Sequence, residues 1–224
     1  WEETMPAFAH LPLILRPDGN GKLSKRDGDQ MGFPVYPLQW KDPQTGETAS
    51  GFRERGFFPE SFLNMLALLG WNPGTEQEIF TMDELMKIFS VERIGKSGAR
   101  FDFEKGKWFN QQYIRNMTDD RLAGMVMPLL KKENITAGKK FVQEVCRHLK
   151  ERVTFIPDFL TDGMYFFRPP KQYDEKTIQK KWSADKAPLL EKIIIALDAL
   201  TDYSAAAIEQ TVKQTVEGTG TKIG

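Results

Sequence analysis

The second half of the chain repeats the apolar spacing of an α-helix and shows no strand-like alternation of any length. Helices there should begin at side chains whose oxygen accepts a hydrogen bond from the free N–H groups of a first helical turn. The expected caps are Thr118, Thr136 and Ser204. The longest apolar face spans residues 185–200, where hydrophobic residues recur every three or four positions. This pattern predicts an all-helical region over residues 118–224.

Three more helices are predicted before that region. Pro59 suits the first position of a helix and Gly70 suits the position just after its end. Thr81 begins a capping box, and Asp102 is expected to cap a helix that ends near residue 116. Four apolar residues between Pro59 and Gly70 recur at helical spacing and are expected to face the core. They are Phe62, Leu63, Leu66 and Leu69.

The charge balance excludes a globally basic protein that coats nucleic acid, because 31 Lys and Arg residues face 31 Asp and Glu residues. Cations clustered on one face can still bind phosphates, since electrostatic attraction is local at physiological salt. The single cysteine, Cys146, excludes an internal disulfide and is expected to be a small buried residue. The two histidines, His10 and His148, lack metal-ligand spacing, so no metal site is predicted.

No segment of the sequence predicts a membrane anchor. The longest apolar runs, such as Ile193 to Leu197, are far shorter than a bilayer span requires. The N-terminus lacks the charged and then apolar pattern of a signal peptide. These features predict a soluble protein of the cytoplasm.

The segment with the most suggestive chemistry is Lys22-Leu23-Ser24-Lys25-Arg26. It follows an apolar run at residues 11–15, which is expected to be a strand, and a Gly-containing turn at residues 17–21. Two ammonium groups three residues apart on such a loop can reach different phosphates of one triphosphate. A short basic loop on its own is more often a solvated turn.

In its context, this loop resembles the second signature loop of class I aminoacyl-tRNA synthetases, which is called the KMSKS loop. Its KLSKR sequence is typical of the glutamyl and glutaminyl branch. Further blocks in the same order resemble bacterial glutamyl-tRNA synthetases. They cover residues 55–71, 78–81, 101–102 and 108–115. The second half resembles that family's helical anticodon-binding region through residues 151–154 and 165–167. Its helical character argues against the glutaminyl relatives, whose anticodon region resembles β-barrels.

The resemblance implies a mainly α chain in three parts. Residues 1–54 would be the end of a class I Rossmann-type catalytic domain, residues 55–117 a helical stem-contact domain, and residues 118–224 an all-helical anticodon-binding domain. The family's first signature, of H-x-G-H type, is absent, and residues 219–224 read as the start of another helix. We therefore expect a fragment that is truncated at both ends and catalytically inactive by itself.

Residues 32–50 depart from the family pattern, in which a short link joins the signature loop to the next block. We interpret them as an insertion, and their prolines and D-P-x-T-G turn predict an extended ribbon or loop. Three aromatic residues of the insertion, Phe33, Tyr36 and Trp40, could pack against the signature loop. Packing of this kind is expected more often than a patch that stacks on tRNA bases.

The family reaction activates glutamate with ATP and Mg²⁺ and then transfers it to tRNA(Glu). By resemblance, Lys25 and Lys22 would be the catalytic residues that grip the ATP phosphates, and Ser24 would join them in the ATP site or shape the loop. Candidate tRNA contacts are Arg93, Lys96, Arg100, Lys139 and Lys140. The loop at residues 94–100 could equally be a solvated connection. ATP, glutamate and tRNA(Glu) are the implied partners, and a monomer is expected.

Three other interpretations compete with a ligase. A stand-alone tRNA-binding or scaffold protein could carry the same modules, but it would have no need for an ATP-gripping loop. A tRNA-modifying glutamyl transferase relative would lack an anticodon domain, and the long helical region argues against it. A helical domain of unrelated use would require five ordered blocks to match by chance.

Overall fold

The computed structural model describes residues 4–217 and residue 219. Residues up to 169 form one compact unit, and residues from 170 onward form a second. The tail after Thr219, part of the segment interpreted above as the start of a further helix, lies outside the described residues. The domain boundaries expected after residues 54 and 117 stay predictions.

The described residues are mainly helical. The α-helices are α1 (Lys25–Met31), α2 (Pro59–Leu68), α3 (Met82–Ile88), α4 (Phe103–Asn116), α5 (Asp119–Lys132), α6 (Lys139–Leu149), α7 (Asp158–Thr161), α8 (Glu175–Lys181), α9 (Ala187–Asp198) and α10 (Ala205–Val216). Short 3-10 helices cover Val91–Arg93, Met164–Phe166 and Ala184–Lys186. No strand occurs among the described residues after 118, which agrees with the predicted helical second half.

Four two-residue strands form two separate pairs. They are β1 (Ile14–Leu15), β2 (Trp40–Lys41), β3 (Thr48–Ala49) and β4 (Ala99–Arg100). Strand β1 pairs in parallel with β4, so that Leu15 lies opposite Arg100. Strands β2 and β3 form an antiparallel hairpin within residues 32–50, with Trp40 opposite Ala49. This segment, interpreted above as an insertion, therefore contains a ribbon, as its prolines and turn sequence predict.

Helices α5 and α6 build the larger core. Leu122, Val126 and Leu130 recur every four residues along α5 and are almost completely buried. Each such side chain contributes about 1.5–3 kcal/mol when it leaves water. Cys146 of α6 is fully buried in the same cluster. Burial, with a smaller effect of the Asp119 charge, raises the pKa of the Cys146 thiol to about 12, so the residue acts as a small apolar side chain.

Most helix starts follow the capping rule. Thr118 accepts a hydrogen bond from the backbone N–H of Arg121 at the start of α5, and Thr81, Asp102 and Ser204 cap their helices in the same way. The prediction for Thr136 is wrong, because α6 begins only at Lys139, after a Gly138 cap without a side-chain hydrogen bond. Ile135 and Ala137 pack against the α5–α6 core. This packing leaves Thr136 between them exposed to solvent.

These two threonines make a matched pair of variants. We expect Thr118→Ala to lower the free energy of unfolding by about 1 kcal/mol, because an N–H group in the first turn loses its partner. Thr136→Ala should change it by less than about 0.5 kcal/mol, as is usual for an exposed site. Urea unfolding followed by far-UV circular dichroism would measure both. Equal losses for the two variants would contradict the observed start of α6.

Helix α2 buries a different face from the expected one. Leu63 and Leu66 are 40% and 41% exposed, whereas Ser61, Asn64 and Met65 are buried. The prediction that these residues face the core is therefore wrong for these two leucines. The apolar pattern misleads because the buried face of α2 carries polar side chains that have partners in other elements.

Asn64 and Asn110 supply the central hydrogen bonds of that interface, and neither is exposed. The Asn64 side chain accepts from the Phe80 N–H and donates to the Glu78 carbonyl, both at 2.7 Å. Asn110 of α4 accepts from the Phe58 N–H at 2.9 Å, just before α2 begins. Together they tie α2 to α4 and to the segment before α3, and this positions the region that pairs with β1.

In the second unit, α9 and α10 pack against each other. The helix expected over residues 185–200 is present, with a 3-10 turn before α9 and an end at Asp198. The expected apolar face consists of Leu189, Leu190, Ile193, Leu197 and Leu200. Leu190 is 45% exposed and the other four are half-buried. Among the described residues, α9 packs mainly against α10, and part of its apolar face is left uncovered. Within residues 4–217, no helix combines the length and the hydrophobicity that a bilayer crossing requires.

Candidate functional site

The signature loop, residues 22–26, lies between β1 and α1. Lys22 forms an antiparallel bridge with Leu15 at the end of β1. Leu23 donates its N–H to the Ile14 carbonyl at 2.8 Å, and the Arg16 N–H reaches the Gly21 carbonyl at 3.1 Å. The loop backbone is therefore anchored to the strand, while the Lys22 side chain stays exposed.

Ser24 and Asp27 fix the shape of the loop. Ser24 donates to one carboxylate oxygen of Asp27 from its hydroxyl at 2.6 Å and from its N–H at 2.7 Å. Asp27 is 8% exposed, and its other oxygen lies 3.6 Å from the Arg16 guanidinium. The hydrogen bonds from Ser24, followed by the Arg16 charge, lower the pKa of Asp27. The Ser24 hydroxyl is thus already engaged within the loop, and its assignment to an ATP site stays a prediction.

Lys25 is the first residue of α1, is exposed, and meets the insertion. Its Nζ lies 5.2 Å from the centroid of the Tyr36 ring, within cation–π range. Tyr36 in turn stacks with Trp40, with centroids 5.8 Å apart and ring planes at 16°. Hydrogen bonds from the Thr45 and Gln44 N–H groups lower the pKa of Asp42, and the positive charge of Lys25 adds to that effect.

The structure brings the signature loop next to one of the candidate tRNA contacts. Leu15 of β1 bridges to Lys22 on one side and lies opposite Arg100 of β4 on the other. The expected loop at residues 94–100 therefore ends in a strand. Gly98 permits this pairing, because a Cβ there would lie 3.0 Å from the Leu13 carbonyl oxygen.

Two other candidates lie just before β4. The Arg93 guanidinium donates to the Pro73 carbonyl. Lys96 is exposed and lines, together with His10, a shallow cavity of about 380 Å³. Lys96 and Arg100 therefore present their charges to solvent, whereas Arg93 is also used to hold the fold together.

Lys139 and Lys140 are the first two residues of α6. Other residues of this helix contribute to the larger core of the first unit. Lys139 Nζ lies 2.6 Å from a carboxylate oxygen of Asp120 in α5, and this hydrogen bond lowers the pKa of Asp120. Lys140 is exposed. The two adjacent lysines thus differ, since one is paired with an acid and the other faces solvent.

The contact of the Tyr36 ring face with the Lys25 ammonium is the detail of this site that the sequence did not specify. Its sequence signal is the position of Tyr36 in the segment that follows the signature loop and α1. Packing of aromatic residues against the loop was expected, and Tyr36 makes such a contact through its ring face. Phe33 belongs to the buried aromatic cluster against which Leu23 of the signature loop packs.

Two family models match nearly the whole chain. Residues 2–108 match the catalytic domain of class I tRNA synthetases for glutamate and glutamine (E and Q). Residues 121–224 match an anticodon-binding domain.

Curated glutamate–tRNA ligases align with all 224 residues. The chain is 50% identical to the ligase of Phocaeicola vulgatus and 49% identical to that of Porphyromonas gingivalis. Over its whole length the chain is therefore similar to glutamate–tRNA ligases. It spans 44% of the length of each of these relatives.

Solved structures of the glutamate–tRNA ligase family share the fold described above. The crystal structure of a glutamate tRNA ligase from Elizabethkingia meningosepticum, in complex with its amino acid, superposes with a TM-score of 0.92 at 43% identity. It matches 97% of this chain, which corresponds to 43% of the ligase chain. A glutamate-tRNA synthetase from Elizabethkingia anophelis superposes with a TM-score of 0.86 at 42% identity.

Proposed function

We propose that this chain is part of a ligase that activates glutamate with ATP and transfers it to tRNA(Glu). The observation that carries the proposal is the alignment of all 224 residues with glutamate–tRNA ligases at up to 50% identity. In this reaction a carboxylate attacks the α-phosphate of ATP, and negative charge develops on the departing pyrophosphate. A preorganised cation at that position stabilises the transition state.

Within this reaction, Lys25 supplies the main cation and Lys22 the second one. Both side chains are exposed, so a triphosphate can reach them, while Ser24 and Asp27 keep the loop in shape. ATP enters as its Mg²⁺ complex, with the metal carried by the triphosphate. The enzyme works as a monomer in the cytoplasm.

The rest of the chain binds tRNA in this proposal. Residues 55–117 contact the stem through Lys96 and Arg100, with Arg93 beside them, and residues 118–224 approach the anticodon with Lys139 and Lys140 on one helix. The exposed charges of Lys96, Arg100 and Lys140 support this assignment, because phosphate binding requires cations that are open to solvent.

Binding of the 224-residue chain to tRNA tests the tRNA-binding half of the proposal. At near-physiological salt and with bulk tRNA as competitor, we expect tRNA(Glu) to bind roughly tenfold more tightly than the same tRNA with a swapped anticodon. Each base mismatch typically costs about 1–3 kcal/mol. Lys140→Gln should weaken both complexes, with Lys213→Gln as a control because Lys213 pairs with Glu209 on the surface of α10.

The possible outcomes separate the two halves of the chain. A preference for the native anticodon supports an anticodon reader within residues 118–224. Equal binding of both tRNAs with a strong salt dependence would contradict anticodon recognition by residues 118–224. The chain would then bind tRNA only through contacts with the stem. A third outcome is specific tRNA binding by a protein whose full-length form shows no glutamate-dependent pyrophosphate exchange. This outcome would favour a stand-alone tRNA-binding protein.

A further inference from the structure

The backbone around Tyr36 is held firmly in place. Its carbonyl accepts a hydrogen bond from the Phe52 N–H at 2.9 Å, and the Pro37 carbonyl accepts one from Arg53 at 3.1 Å. Gly51 forms a parallel bridge with Tyr36 and packs so closely that a Cβ would lie 2.2 Å from the Leu38 carbonyl carbon. The Tyr36 ring is therefore presented from a braced backbone.

The Tyr36–Trp40 pair stays outside the three hydrophobic clusters found among the described residues. Trp40 is 45% exposed and Tyr36 is half-buried. Neighbours in the insertion, such as Phe33 and Val35, do join the aromatic core. Packing of the core therefore does not explain why two stacked rings lie at this surface.

Within this pair, the Tyr36 ring contacts the side chain of Lys25. An ammonium group over an aromatic face is held by the ring quadrupole, and its N–H groups that point away from the ring remain free for another partner. The ring contact restricts a side chain that would otherwise sample many rotamers.

We propose that Tyr36, stacked with Trp40, is a positioning residue that holds the Lys25 ammonium ready for the phosphates of ATP. This inference rests on the proposed function of Lys25. Because the ring occupies one side of the ammonium, the remaining N–H groups can meet the departing pyrophosphate without a prior search for the right rotamer. The insertion thereby acts as a brace for the signature loop.

The kinetic test compares variants of a full-length ligase that carries this sequence. Tyr36→Leu should lower kcat for glutamate-dependent pyrophosphate exchange about two- to fivefold, with KM for glutamate unchanged. Tyr36→Phe keeps the ring face and should behave like the original enzyme. Trifluorophenylalanine at position 36 keeps the ring shape but removes the negative face, so it should reproduce the Tyr36→Leu loss even if that variant folds poorly.

A double-variant cycle separates this inference from the proposed function. In a Lys25→Ala background, Tyr36→Leu should cause no further loss, because the residue it positions is gone. Losses that multiply would overturn the positioning role while leaving Lys25 catalytic. A Lys25→Ala enzyme with normal exchange would instead overturn the proposed role of Lys25 itself.

Nuclear magnetic resonance of the 224-residue chain tests the contact without any activity. The side-chain methylene next to the Lys25 nitrogen should resonate upfield because of the Tyr36 ring current, and Tyr36→Leu should abolish that shift. Lys22, whose side chain contacts no ring among the described residues, provides the internal control. The amides of Gln44 and Thr45, which bond to Asp42, report whether the hairpin stays intact. An upfield shift that persists in Tyr36→Leu with an intact hairpin would contradict the contact.

Discussion

Lys25→Ala in the full-length ligase should slow glutamate-dependent pyrophosphate exchange about 100- to 1,000-fold, a loss of roughly 3–4 kcal/mol. The reason is that the ammonium interacts more strongly as negative charge builds up on the departing pyrophosphate than it does with the phosphates of bound ATP. The loss should therefore fall mainly on kcat, with a smaller change in KM for ATP. Steady-state exchange kinetics at saturating glutamate would measure both constants.

The neighbouring arginine provides a matched control. Arg26→Ala removes the same charge one residue further along α1, also from an exposed side chain. We expect a loss of less than about tenfold, because a charge at the surface is screened and not directed at the phosphates. Because Lys25 is exposed, neither variant should shift the thermal unfolding midpoint appreciably. Equal losses for the two variants would indicate a general effect of positive charge and would contradict the specific role of Lys25.

Local sequence patterns were sufficient for most helix boundaries. The caps at Thr81, Asp102 and Thr118 work through hydrogen bonds within four residues, so the sequence alone contains both partners. Thr136 fails because the packing of Ile135 and Ala137 against the core overrides local capping. A helix cap can be predicted from the sequence when no packing contact with a distant part of the chain overrides the local hydrogen bond.

The buried face of α2 could not be predicted in this way. Apolar spacing favoured Leu63 and Leu66, yet the partners that Ser61 and Asn64 find beyond α2 lie 14 or more residues further along the chain. A polar side chain loses little on burial when every group finds a partner, so hydrophobicity alone ranks such positions wrongly. Only the tertiary arrangement reveals that these partners exist.

The candidate site likewise has one part that the sequence predicts and another that only the fold shows. The loop with Lys22 and Lys25 was recognisable, because its residue types and neighbours are contiguous in the sequence. The contact between Lys25 and Tyr36 depends on how the hairpin folds back on α1, and the pairing of Lys139 with Asp120 depends on how α6 lies against α5. The sequence therefore shows that a lysine is present, but only the fold shows whether its ammonium group is available to bind a phosphate.

Asn110→Ala should be strongly destabilising, lowering the free energy of unfolding of the first unit by about 3–5 kcal/mol. Asn110 is fully buried, accepts from the Phe58 N–H and from the Ser61 hydroxyl at 2.8 Å, and donates to the Thr154 carbonyl at 2.7 Å. Alanine would remove the partner of the Phe58 N–H and of the Thr154 carbonyl, whereas the Ser61 hydroxyl keeps the Phe58 carbonyl as its acceptor. Each unpaired buried group costs about 1–3 kcal/mol.

The adjacent residue distinguishes this network from a general effect on α4. Gln111 also donates to a backbone carbonyl, that of Glu151, but at 3.5 Å and at an exposed site. We expect Gln111→Ala to cost less than about 0.5 kcal/mol, because water replaces that bond. Urea unfolding with an unchanged m-value would give both free energies. If Asn110→Ala were no worse than Gln111→Ala, water would have to enter the cavity and satisfy the freed groups. The polar network would then not be what holds α2 against α4.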